Sequence, residues 1–532
     1  MKTSVAVSLI FTAALHAATP DTVEIHAGGT TKTFAVAADE AGHFLRDGSA
    51  RVEHIASQRD GKGVEKFLRG RVRDAATRRS DLVLYETGRP RTEATRRWLT
   101  PRVLAWLNAD ADAQAVATRV GALSVERPAY AKGAAIFTAK DAPGGALALA
   151  EALRATPGVA SAEPLLARTQ RKRFTPNDTY FSYNAGNAAY QWYLRNTGQN
   201  AGTVGIDLNV TTVWDSWRGA GMRIGIADDG AQLTHPDLAA NIDLVNGYDW
   251  NEFDTDPSPA RDEPHGTACA GLAAARGNNA SGISGAAPEA MIVPLRLLGG
   301  PVSDAEEAAA FSWRNDIIQI KSSSWGPLDD GTSLDSPGPL VEAAIEDGVA
   351  NGRGGLGTIY LWSAGGGGSI DNSNFDGYAN NVFAIGVGSV NDQGAATSYS
   401  EQGANILIST PSSSTGRQSV VTTDLVGSGG ANNGSLPGET ASGDFTSTFG
   451  GTSASAPLAA GAVALLLQSK PTLGWRDVKE ILIRSAAKNS PADAGWANNG
   501  AGFHFNHKFG AGLLDTQAAV TLAAGWANLG PI

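Results

Sequence analysis

The rhythm of apolar positions changes several times along this chain. Residues 5–15 are almost wholly apolar, follow Lys2 and run into the small residues Ala17 and Ala18. That order predicts an export signal over 1–17, and with it a secreted or periplasmic destination. The run is too short to cross a bilayer and no other run approaches the needed length, so no membrane span is predicted. From 22 to about 100, short apolar runs are broken by charged stretches, notably 69–79 and 89–97, and predict little. A clearer pattern follows. Residues 102–106 and 134–137 read as strands, 111–120 and 146–155 as helices, and 159–164 continue beyond Gly158, which together make a small α+β unit. From about 191 to 522, strand-like apolar runs alternate with Ala-rich helical ones. This alternation predicts an α/β domain built on a parallel sheet.

Composition sharpens the boundary between the two patterns. Residues 1–173 carry 26 Lys and Arg against 18 Asp and Glu, which leaves 16 against 35 of the totals of 42 and 53 for the remainder. A basic front and an acidic back predict that the halves attract each other and that the back half draws cations or basic substrates. The acidic half repels phosphates, which argues against a nucleic-acid partner. Cys269 is the only cysteine, so no intrachain disulfide is available and stability falls to packing and bound metal. At the boundary stands Arg171-Lys172-Arg173-Phe174, followed by a polar, turn-rich stretch. Basic runs are commonly solvated surface; placed at this boundary, the run reads as a processing site. The predicted organisation is a signal over 1–17, a prosegment over 18–173 and a catalytic domain over 174–532.

Three segments of the back half carry chemistry. Residues 222–227 form a buried-strand run that stops at Asp228-Asp229-Gly230, and the carboxyl ends of parallel strands are where such sheets place their sites. His265 opens a helix with a small-residue face, His265-Gly266-Thr267-Ala268-Cys269-Ala270-Gly271. Gly450-Gly451-Thr452-Ser453-Ala454-Ser455 precedes a strongly apolar helix over 458–467, so Ser453 sits at a helix N-terminus, where free N–H groups stabilise developing negative charge. Asp, then His, then Ser is the chain order of subtilisin-type triads. In that reading Ser453 attacks a carbonyl, His265 takes and returns its proton, and Asp228 orients the imidazole.

These residues resemble the kexin/furin branch of the subtilisin-like proteases over roughly 178–522. The resemblance rests also on Ser324-Trp325-Gly326-Pro327-Leu328-Asp329-Asp330-Gly331, on Asp376-Gly377-Tyr378, on Trp475-Arg476-Asp477, on Gly510-Ala511-Gly512-Leu513-Leu514-Asp515 and on Cys269. It implies a three-layer subtilisin-like fold with a parallel sheet, preceded by an α+β prosegment that binds and is cut off by the enzyme. It implies an endopeptidase acting on peptides with basic residues. Asp329 and Asp376 would receive the arginine before the scissile bond, Asp229 and Asp262 the next basic residue, and Glu307 and Asp335 one further out. It also implies Ca2+ at Asp329, Asp371 and Glu401, and a second Ca2+ at Asp178, Asp237 and Asn278. Arg171-Lys172-Arg173 would be the enzyme's own substrate, cut before Phe174, and a monomer is expected.

Two departures stand out. The family's oxyanion asparagine is replaced by Gly366, leaving the Ser453 N–H in the oxyanion region. A β-sandwich domain normally follows in that family, whereas this sequence stops at Ile532, so the catalytic domain either stands alone or is truncated before it. The competing readings are a pseudoprotease or binding protein weakened at Gly366, and a subtilase of broader specificity.

Overall fold

In the acidic half, strand after strand buried on both faces pairs in parallel. Strands β9 (Arg223–Asp228), β10 (Tyr248–Asp249), β11 (Met291–Arg296), β12 (Ile320–Ser323), β13 (Ile359–Ser363), β14 (Ala384–Val390) and β15 (Ile406–Pro411) form one sheet in the order β10-β11-β9-β12-β13-β14-β15. Every pairing in it is parallel. The computed structural model describes residues 22–27, 30–45, 50–54, 77–89, 91–92, 95–140, 144–169, 174–182, 190–432, 440 and 442–530. The chain separates into two units, residues 1–171 and 172–532.

Side chains leave a strand on alternate faces, and here each face meets its own layer of helices. On one face Ile224, Ile226, Ile359 and Leu361 pack against α3 (His265–Ala274) and α6 (Thr452–Ser469). On the other, Val293, Leu295, Tyr360 and Trp362 pack with residues of α4 (Asp304–Ser312) and α5 (Pro339–Gly355). The result is the three-layer α/β architecture anticipated from the sequence, completed by α7 (Trp475–Ser485) and α8 (Thr516–Ala524).

Among the described helices, α6 is the one long and apolar enough to cross a membrane, yet 83% of it is buried inside the protein. An all-round apolar helix under such cover is a core element. Its register brings Ser453 into the first turn, beside Ser324 at the carboxyl end of β12.

The front unit has the α+β pattern expected over 102–164, and its sheet extends beyond it. Its sheet has eight strands, β1 (Thr22–Ala27), β2 (Thr30–Leu45), β3 (Ala50–His54), β4 (Thr77–Glu86), β5 (Arg96–Leu107), β6 (Ser124–Glu126), β7 (Ala134–Thr138) and β8 (Val159–Ala167). All its pairings are antiparallel. Half of it therefore comes from residues 22–100, which carried no clear signal. The physical reason is visible in β4, where Leu82 and Leu84 enter one apolar cluster while Val83 and Tyr85 enter another. A strand buried on both faces shows no alternation. Helices α1 (Ala113–Val120) and α2 (Gly145–Arg154) add Val116, Leu149 and Leu153 to the larger cluster. Asp112 caps α1 by accepting from the Gln114 N–H at 2.9 Å.

Candidate active site

Strand β9 ends on Asp228, whose side chain is 1% exposed at the sheet's carboxyl edge. Its Oδ1 accepts from the Asp229 N–H at 2.9 Å and from His265 Nδ1 at 2.7 Å. His265 is the first residue of α3, and Asp229 holds that end of the helix. One Asp229 carboxylate oxygen accepts from the His265 N–H at 3.1 Å, the other from the Gly266 N–H at 2.6 Å. Only glycine fits at 266, because a Cβ there would lie 2.1 Å from the Gly230 carbonyl oxygen. The imidazole is 35% exposed, so its far edge opens on the cleft while the ring leans on Phe449 at 5.6 Å.

Burial alone would lower the affinity of His265 for a proton. The charge and hydrogen bond of Asp228 outweigh that and hold the imidazole well above its ordinary value. Burial and the Asp228 charge push Asp229 up to about 7.

Ser453 follows Gly451, which takes φ 71°, a conformation that favours glycine. The Ser453 hydroxyl donates to the Ser324 carbonyl at 3.1 Å, and the Ser324 hydroxyl donates back to the Ser453 carbonyl at 3.1 Å. Among the described residues its hydrogen bond is thus to Ser324 rather than to the imidazole, and rotation about Cα–Cβ is needed to turn the proton toward His265. Cys269 fills the space behind. Its Sγ lies 3.9 Å from His265 Nδ1 and 3.6 Å from the Ser453 carbonyl oxygen. Gly366 is exposed, its N–H donates to Asp329 Oδ2 at 3.0 Å, and a Cβ there would meet only that oxygen, at 3.3 Å. No side-chain donor is therefore present at 366, although there is room for one.

A group of carboxylates surrounds Asp376. Asp335 and Asp376 are joined by a parallel bridge, and Asp376 Oδ1 accepts from the Tyr378 N–H at 2.8 Å and the Ala379 N–H at 3.2 Å. Burial, then the charges of Asp329 and Asp335, push Asp376 up to about 6. Glu307, on α4, accepts from the Tyr378 hydroxyl at 2.6 Å and is raised by its burial. Four of the six anticipated substrate carboxylates, Glu307, Asp335, Asp376 and Asp329, are therefore electrostatic neighbours. Asp262 is exposed on the loop before α3. Asp229 lies next to Asp228, but both its oxygens are already engaged by α3.

Two clusters bear on metal binding. The ligand oxygens of Asp329, Asp371 and Glu401 all lie within 4.8 Å of one another. Burial, then Asp329 and Asp371, push Glu401 up to about 8. The Gly367 N–H donates to Glu401 at 3.0 Å and the Gly331 N–H to Asp371 at 3.0 Å, while a Cβ on Gly365 would lie 2.3 Å from Glu401 Oε1. Three converging carboxylates in a cradle of glycines fit a hard divalent cation such as calcium.

In the second cluster Asp178 accepts from the backbone N–H groups of Asn278 and Asn279 at 2.8 and 3.2 Å. Asp237 accepts from the Asn279 side-chain amide at 2.6 Å, and burial pushes it up to about 7. The asparagine side chain that reaches this cluster is Asn279, the neighbour of the anticipated Asn278, which reaches Asp178 through its backbone. Of the anticipated cut, Arg171 to Arg173 lie outside the described residues. Phe174 is described, with its ring edge-on to Trp214 at 5.8 Å. Sequence reasoning overlooked Ser324, Tyr378 and Asn279 as individual contributors, though two of them lie inside segments it singled out.

Comparison with known proteins supplies context for this geometry. Residues 219–512 match the model of the subtilase family. The chain is 42% identical over 379 residues to a PC3-like endoprotease variant B of Hydra vulgaris, covering 70% of this chain and 50% of that protein. It is 40% identical over 348 residues to human neuroendocrine convertase 2, covering 63% and 52%. It is 38% identical over 371 residues to human proprotein convertase subtilisin/kexin type 4, covering 68% and 45%. The chain thus spans about half the length of these curated relatives. Among solved structures, a serine protease of Aeromonas sobria aligns with a TM-score of 0.59 at 29% identity, covering 64% of this chain and 68% of that one.

Proposed function

The chain belongs to the subtilase family, and from that premise we propose that it is an exported, calcium-dependent serine endopeptidase that cuts after basic residues and matures by its own cut after Arg173. The observation that carries this reading is the 2.7 Å pair between His265 Nδ1 and Asp228 in a cleft flanked by Glu307, Asp335, Asp376 and Asp329.

In the proposed reaction the Ser453 hydroxyl swings from the Ser324 carbonyl to the free nitrogen of His265. The imidazole takes its proton as Oγ attacks the substrate carbonyl carbon, and Asp228 stabilises the imidazolium that forms. The amide C–N bond breaks when His265 returns the proton to the departing amine. Water then repeats the sequence on the acyl-enzyme, and Ser453 is released. The Ser453 N–H, at the N-terminus of α6, faces the developing oxyanion with no partner side chain at 366. In a subtilisin, loss of such a donor lowers turnover by about 100- to 1,000-fold. A slow enzyme is therefore expected, and Gly366 also gives the weakened, binding-only reading its footing.

An arginine guanidinium before the scissile bond needs paired carboxylates when it leaves water, and Asp329 with Asp376 supplies them. Asp229 and Asp262 are proposed for the next basic residue, Glu307 and Asp335 for one further out. Calcium would be held by Asp329, Asp371 and Glu401, and a second ion by Asp178, Asp237 and Asn279. Its positive charge neutralises carboxylates that would otherwise repel one another beneath the first pocket. The net charges of the two halves, +8 over 1–173 against −19 beyond, support a front segment that serves as prosegment.

Cleavage of a peptide library tests the specificity. Enrichment of Arg or Lys before the cut, lost in Asp376→Asn, is expected; equal cleavage after apolar residues would point to a subtilase of broader preference.

A further inference from the structure

Lys321, the second residue of β12, is 0% exposed. Among the described residues no carboxylate pairs with it. Its Nζ donates instead to the Ala310 carbonyl at 2.9 Å and the Phe311 carbonyl at 2.6 Å, and it lies 5.9 Å from the centre of the Tyr360 ring. Burial holds it well below the ordinary lysine range. An ammonium buried without an anion is costly, and an apolar chain of the same length would be cheaper unless those carbonyls needed a donor. They do need one. Ala310 and Phe311 lie in the last turn of α4, where carbonyls have no helical partner, and both residues are fully buried. The Phe311 oxygen also collects the Tyr360 hydroxyl at 2.9 Å and the Asn315 amide at 3.0 Å.

What α4 carries gives this clamp a purpose. Glu307 lies one turn before Ala310 and Phe311 and accepts from Tyr378. Strand β12, on the other side of the clamp, runs directly into Ser324, which exchanges hydrogen bonds with Ser453. Lys321 therefore ties the strand beside the nucleophile to the helix that bears the outermost acidic group. Aromatic contacts follow the same line. The Phe311 ring packs on Trp362 at 5.0 Å and Trp325 at 6.1 Å, and both pack on Tyr378, at 5.1 and 5.2 Å.

We propose that Lys321 is a positioning residue for specificity, keeping α4 in register with the cleft so that Glu307 meets a basic side chain at the outer subsite. This rests on the endopeptidase reading above. The test uses the full chain, with active sites titrated, as Lys321→Met and as the milder Tyr360→Phe. Two peptides share Arg before the scissile bond and carry Arg or Ala at the outer position.

In Lys321→Met, kcat/KM for the outer-Arg peptide is expected to fall about 10-fold, through KM, while the outer-Ala peptide stays within about 2-fold. Tyr360→Phe should shift the same ratio less, and it decides the matter if Lys321→Met does not fold. Equal losses on both peptides, or an unchanged ratio, would overturn the proposal and leave the subsite standing. A wild type that cuts both peptides equally would instead overturn the Glu307 subsite itself, and the proposal with it.

Discussion

Asp376 illustrates how one residue's surroundings set a working range. Burial and its acidic neighbours push it up to about 6, so it is neutral below that pH and charged above it. Only the charged form attracts arginine. The ratio of kcat/KM for a substrate with Arg before the scissile bond to one with an apolar residue there should therefore fall as pH drops through about 6. Titration of His265 cancels in that ratio, and a flat ratio from pH 5 to 8 would show that Asp376 does not serve the pocket. Asp228, His265 and Ser453 were legible as candidates because each lies at the end of a regular element and within two residues of a glycine. The pairing of Asp228 with His265 follows from their elements, whereas the link from Ser453 to Ser324 depends on a side-chain rotation that no spacing encodes. Asn279, the neighbour of the anticipated Asn278, was not singled out for a related reason. Two adjacent asparagines are equivalent in sequence, and only the turn decides which side chain points at Asp237.

At the scale of elements, α6 does two things at once: it fills the core and presents Ser453. Leu465 is fully buried there, and Leu465→Ala should destabilise the fold by about 2–5 kcal/mol, measured by denaturant unfolding. A change below about 0.5 kcal/mol, the range of surface substitutions, would mean that α6 is not the central core helix. The parallel sheet was legible because its strands and helices alternate at the spacing of an α/β unit. The front sheet was only half legible. Trp98 and Tyr85 cover one face of it and Leu82, Leu84 and Leu99 the other, so the segment from 77 to 99 alternates in no register that a single-face strand would show.

At the scale of the whole molecule, electrostatics dominates. The acidic half crowds carboxylates around Glu401 and around Asp237, both pushed far above their ordinary values. Calcium held at these sites would relieve that repulsion and stabilise the folded state, by about 2.7 kcal/mol when present at 100 times its Kd. Chelation should accordingly lower the unfolding temperature and calcium should restore it, with magnesium, which demands a smaller octahedral site, failing to do so. An unfolding temperature indifferent to chelator would remove calcium from the proposal.

All of this depends on Ser453 being a nucleophile driven by His265 and Asp228. The direct measurement is mass-spectrometric mapping of the calcium-loaded protein after treatment with a fluorophosphonate. Wild type should carry the adduct on Ser453, and His265→Ala should lose it while remaining folded. A folded wild-type protein whose Ser453 stays unlabelled, or a His265→Ala variant labelled at the same rate, would contradict the assignment.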